Sequence, residues 1–255
     1  MKQLNLSAML TLSVLLTSGL SMSQTTSDAT SHSSKPAANA WMLTPTPYLE
    51  WNKDVPPAVR AQRNRLWDEA SGRRVPLTGP PVEAGSGPVG EDSDIGFEPL
   101  DIVGSVLNRA ILTATFTKYR SVLSTSELSI YTEVTLHVDQ VFQDRTGSGH
   151  PFSNQNITLS LFGGTVALRS GQILSDNTGA RELFLEPGHK YLLVLSYEKA
   201  GDFYRLADNW DITDGTVRPN DHRTQYLAKE GRSSLNGIAV QQLAPAIDKL
   251  LYESK

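Results

Sequence analysis

The sequence predicts a mainly β protein: a small, partly open antiparallel barrel of OB-like type, with a C-terminal helix and an extended N-terminal segment. Three observations predict it. Residues 128–138 alternate apolar and polar side chains with a period of two. About seven to nine short strand-like runs, divided by Gly, Asn and Asp turns, follow one another at the spacing of small β-bodies. Of the 14 prolines in 255 residues, ten precede residue 100, so the first hundred residues are organised differently from the rest.

Residues 1–23 join a positive start, Met1-Lys2-Gln3, to a leucine-rich stretch from Leu4 to Leu20 and to Ser21-Met22-Ser23. These are the three parts of a secretory signal peptide cleaved before Gln24. Asn5, Ser7, Thr11, Ser13, Thr17 and Ser18 interrupt the apolar run, which argues against a retained membrane anchor, and no later segment is long and apolar enough to span a bilayer. The expectation is an exported protein, periplasmic or extracellular. The chain has no cysteine, which excludes disulfides, thiol nucleophiles and thiolate metal sites together, so an exported domain of this sequence must be held by burial alone.

Residues 24–40 have alanine as their one hydrophobic residue type and predict a disordered Ser/Thr-rich tether. The next segment, 41–74, holds Trp41, Tyr48, Trp51 and Trp67, too many aromatics for a linker. Within it Pro56-Pro57, a run of helix formers from Ala58 to Ala70, and Ser71-Gly72 predict a short helix. Val59, Leu66 and Trp67 lie near one face, whereas Arg60, Arg63, Arg65, Arg73 and Arg74 form a basic cluster. That cluster reads either as the solvated side of a docked helix or as a contact for a partner. Residues 75–100 have the Gly/Pro composition of a linker and contain the acidic run Glu91-Asp92-Ser93-Asp94.

The folded domain is expected at 101–255. Strand-like runs fall at 102–107, 110–119, 128–142, 157–162, 166–168, 172–174, 182–185, 191–197 and 203–206. Within residues 128–142 the odd-numbered set Ser129, Tyr131, Glu133, Thr135, His137 and Asp139 is expected on a wet face. Gly163-Gly164 suits a bend that curls the sheet, and Glu186-Pro187-Gly188-His189 a tight turn into the apolar run Tyr191–Leu195. Leu243, Ile247, Leu250 and Leu251 repeat at helical spacing, which places the last helix near Pro245.

Ile130-Tyr131-Thr132, Gly163-Gly164 and Pro187-Gly188 followed by Tyr191-Leu192-Leu193 resemble a pattern found in uncharacterised exported bacterial proteins. Those proteins are similar to the OB-type barrel of the tissue inhibitors of metalloproteinases. The resemblance spans about residues 101–217 and implies a fold and not an activity. The inhibitors place an amino-terminal cysteine on a metal, and this chain has none.

No catalytic, cofactor-binding or metal-binding constellation stands out. The histidines His32, His137, His150, His189 and His222 are too far apart in sequence for a local metal motif. His137 and Asp139 share a strand face and read as cross-strand surface residues; with Glu133 they are also the candidates for a hydrolase whose groups are dispersed in sequence. Neither Gly85-Ser86-Gly87 nor Gly147-Ser148-Gly149 has the spacing of a nucleophile elbow. Asp208–Gly215 lacks the glycine and closing acid of a calcium loop and reads as a solvent-facing hairpin. Asn156-Ile157-Thr158 is a glycosylation sequon. No basic stripe suits nucleic acid. The composition therefore points to a non-enzymatic module binding a protein or cell-envelope component, with the dispersed hydrolase as the alternative.

Overall fold

The structure, a computed structural model, describes residues 40–48, 55–79, 109–150, 152–176, 185–231 and 233–253. The signal peptide, almost all of the tether, Trp51, residues 80–100 of the linker with its acidic run, the strand at 102–107 and all but Leu185 of the strand at 182–185 lie outside these residues. In chain order come a 3₁₀ turn at Ala40–Leu43, β1 (Thr46–Pro47), α1 (Pro57–Ser71), β2 (Arg109–Leu123), β3 (Ile130–Asp144), β4 (Asn156–Phe162), β5 (Gly164–Ala167), β6 (Ile173–Asp176), β7 (Lys190–Glu198), β8 (Phe203–Asp211), β9 (Arg218–Pro219), α2 (His222–Lys229) and α3 (Leu243–Glu253).

The main sheet has the order β4-β3-β2-β7-β8-β9, and β4 also meets β8 in parallel at the single pair Leu159↔Tyr204. Five strands thus form a ring. It is the mainly β, partly open body that the strand spacing predicts, realised as a ring and not as a continuously hydrogen-bonded barrel. Register shifts between β2 and β3 at Ile111/Leu112, Thr113/Ala114 and Phe116/Lys118 supply the local twist that curls two 15-residue strands around the ring. A smaller sheet, β1-β5-β6, lies beside it, with β1 parallel to β5.

Alternation decides which side chains fill the ring. Ala110, Leu112, Ala114 and Phe116 of β2, Val134, Leu136 and Val138 of β3, Leu159 and Leu161 of β4, and Tyr191, Leu193 and Leu195 of β7 form the interior cluster. The opposite faces of β2 and β7, with Ile111, Leu192 and Val194, join Trp210 in a second cluster under Leu243 and Ile247 of α3. The run Tyr191–Leu195 is apolar throughout because both of its faces are covered. Pro245 stands in the first turn of α3, where no helical N–H is needed from it.

Three elements differ from the reading of the sequence. The outward positions Ser129, Tyr131 and Glu133 are buried, because α1 lies over that end of β3. Asp208–Asp211, read as part of a solvent-facing hairpin, is the end of β8, with Asp208, Asn209 and Trp210 buried. The helix α2 was not legible as an apolar stripe; Asp221 starts it by accepting from the Thr224 backbone N–H at 2.6 Å.

No helix among the described residues is long and apolar enough to cross a membrane.

Candidate functional site

The prolines at 56 and 57 fix the start of α1 and Gly72, in the left-handed region at φ 61°, ends it. Its 3.6-residue period then puts Arg63, Asn64, Trp67 and Asp68 on one face. All four meet the ring. The Trp67 ring stacks with Tyr131 and Phe203, at centroid distances of 6.2 and 5.9 Å, and its indole N–H donates to Ser160 Oγ at 3.0 Å. Asn64 accepts from the Tyr131 hydroxyl at 3.0 Å, and Asp68 accepts from the hydroxyls of Ser126 and Ser129 in the β2–β3 turn.

Arg63 is the centre of this face. Only 3% of it is exposed, and it donates from Nη1 to Glu133 Oε1 at 2.6 Å, from Nε to the Gly201 carbonyl at 2.5 Å and from Nη2 to the Asp202 carbonyl at 2.5 Å. The second oxygen of Glu133 accepts from Arg120. A carboxylate buried between two guanidiniums is a structural clasp. Arg73 pairs with Asp176 at 2.8 Å and Arg65 with Glu69 at 3.7 Å, so at least three of the five arginines in the basic cluster are paired within the protein.

The sequence candidates do not converge. His137 Nδ1 faces Asn156 Oδ1 across the β3–β4 pair at 3.2 Å, Asp139 accepts from Thr115 Oγ1 at 3.0 Å, and Glu133 is in the clasp. Ser148 bonds with Thr146, the His150 carbonyl and the Tyr204 hydroxyl, which holds its turn against the ring. A histidine–carboxylate cluster that spacing did not reveal lies at the start of β7: His189 Nδ1 is 3.0 Å from Asp211 Oδ2 and its Nε2 3.4 Å from Glu186 Oε2. Burial pushes the Asp211 carboxyl up, but hydrogen bonds from Thr213 and His189 outweigh it and hold the group below the ordinary carboxylate range. Both ring nitrogens of His189 face carboxylates, so this arrangement has no nucleophile for the histidine to activate.

A concave site among the described residues lies at the seam of the ring. Ahead of the Leu159↔Tyr204 pair, β4 and the β7–β8 turn part, and the start of α1 closes over the gap. The pocket so formed holds about 190 Å³. Val55, Pro56 and Arg63 make one wall, Asn156, Ile157 and Thr158 of β4 another, Asp202 and Tyr204 a third, with His150 at the rim. Burial pushes the Tyr204 hydroxyl up to about 12, and burial with the Asp202 contact does the same to neighbouring Tyr197. Both phenols are neutral hydrogen-bonding groups at neutral pH. Sequence reasoning marked Asn156 and Thr158 as a sequon and His150 as one of five dispersed histidines, but their meeting with Asp202 and Arg63 depends on contacts between distant segments. Among the described residues no group of three or more His, Cys, Asp or Glu could hold a metal ion.

No protein-family model matches the chain, and a search of curated proteins finds no match to it.

Proposed function

We propose that the protein is an exported, non-enzymatic module that binds a protein or cell-envelope component at the seam pocket. The observation that carries this reading is the pocket itself, where His150, Asn156, Thr158, Asp202 and Tyr204 present hydrogen-bonding groups around one cavity backed by the engaged Arg63. Segment 41–74 contributes by building a wall of that cavity and not by offering Trp41 or Trp67: Trp67 is buried on the ring, and the Trp41 indole donates to the Leu185 carbonyl.

The test is to add fractionated envelope extract to the isotope-labelled chain and to follow backbone amide shifts. The expected result is perturbation centred on His150, Asn156–Thr158 and Asp202. Perturbation confined to other surfaces, or none with any fraction, overturns the reading. The hydrolase alternative is tested by turnover of ester, peptide and glycan substrates. Turnover that falls on His150→Ala would replace the binding reading by an enzymatic one at the same pocket.

A further inference from the structure

We infer that the seam pocket takes a neutral polyhydroxyl ligand, a single saccharide ring of a glycan. The inference rests on the binding reading above and names its ligand class. Size is the first argument. A volume of about 190 Å³ equals roughly six waters at about 30 Å³ each, well short of the ~300–1,000 Å³ that drug-sized ligands occupy. One six-membered sugar ring fills such a space. A nucleotide would leave much of itself outside, and an extended peptide needs a groove that runs on for several residues at about 3.3 Å each.

Charge is the second argument. The guanidinium of Arg63 already meets Glu133 and the carbonyls of Gly201 and Asp202, so a phosphate or sulfate finds its fork engaged. A divalent cation finds Asp202 as the one carboxylate among the described lining residues. What the lining does present is a mixture of donors and acceptors: the Asn156 amide, the Thr158 hydroxyl, the His150 ring and the Asp202 carboxylate, whose Oδ1 also accepts from Tyr197 at 2.8 Å. Sugar hydroxyls both donate and accept, and planar amide and carboxylate groups engage two of them at once.

The third argument is independent of the lining. Phe152 is 56% exposed, unusual for a phenylalanine, and its ring stands edge-to-face with His150 at the rim, 6.1 Å between centroids. The C–H groups of a sugar ring carry slight positive charge and pack against the negative face of such an aromatic.

The test titrates the full isotope-labelled chain with glucose, galactose, N-acetylglucosamine and short oligomers of each, alongside inorganic phosphate and an acidic and a neutral hexapeptide. The expected result is millimolar sugar binding that shifts the amides of His150, Asn156–Thr158 and Asp202. Phe152→Ala and Asn156→Ala, both at exposed positions, should each weaken it about fivefold or more. Shifts at these amides from phosphate or a peptide but from no sugar discard the saccharide and leave the binding reading standing. Silence from every probe, or sugar shifts that survive both substitutions, discards the saccharide and the pocket together.

Discussion

Glu133 shows what one residue can and cannot reveal in sequence. The period of two correctly groups it with Tyr131 and His137, but which face is wet depends on what covers it, and the cover is Arg63, 70 residues earlier. Burying one carboxylate between two guanidiniums makes its removal costly, since both cations stay behind. Glu133→Ala is expected to destabilise the fold by about 3–5 kcal/mol in urea unfolding. His137→Ala, which loses one cross-strand contact at the surface, should stay within about 0.5 kcal/mol. Tyrosine ionisation offers a second measurement. Tyr197 and Tyr204 ionise at about 12 in the folded chain against 10 ordinarily, so the native state holds their protons more tightly. Their contribution to stability is fully present below pH 10 and is lost as the pH rises through 12. A tyrosinate absorbance titration that shows all eight tyrosines ionising together near pH 10 in a folded chain would contradict this.

At the scale of elements, the strands were the legible part. β2, β3, β4, β7 and the first half of β8 carry the β-branched and alternating runs that marked them, and Gly163-Gly164 was read as a bend for a reason the structure supplies. Gly164 has φ 137°, and a Cβ there would lie 2.4 Å from the hydroxyl oxygens of both Ser121 and Thr132. Gly164→Ala should therefore cost about 1–3 kcal/mol by overpacking, with the β4–β5 corner the first place to lose amide protection. α2 was missed because eight residues give too short a window for a periodic signal and its start lies in one side chain. Asp221→Ala removes that cap and also the acceptor for the Asn209 N–H, 2.8 Å away. A loss of about 1–2 kcal/mol is expected, read as a lower midpoint in thermal unfolding. The pocket was not legible for a physical reason of the same kind: its walls come from α1, β4 and the β7–β8 turn, and no local pattern encodes their meeting.

For the whole molecule, the uneven closure of the ring sets where it opens. β2 is paired along both edges, with β3 and β7, whereas β4 and β8 share one pair. Hydrogen exchange should accordingly be slowest in β2, β3 and β7 and fastest, among the ring strands, beside the β4–β8 seam. Uniform protection around the ring would mean that the seam is held by more than its single pair. Because α1 walls the pocket, a ligand that binds there should also raise the protection of α1.

The clasp of Arg63 on the Gly201 carbonyl spans 138 residues of chain. At about 5–20 residues per second of synthesis, α1 leaves the ribosome roughly 7–28 s before its seat is complete. Until then Trp67 lacks the Phe203 side of its seat, although Tyr131 and Ser160 are already made. Nascent chains halted short of Gly201 should be cut by trypsin at the arginines of α1, and released full-length chains should resist. The helix that closes the pocket is thus made early and docked late, which gives a chaperone that binds aromatic segments a defined time in which to act.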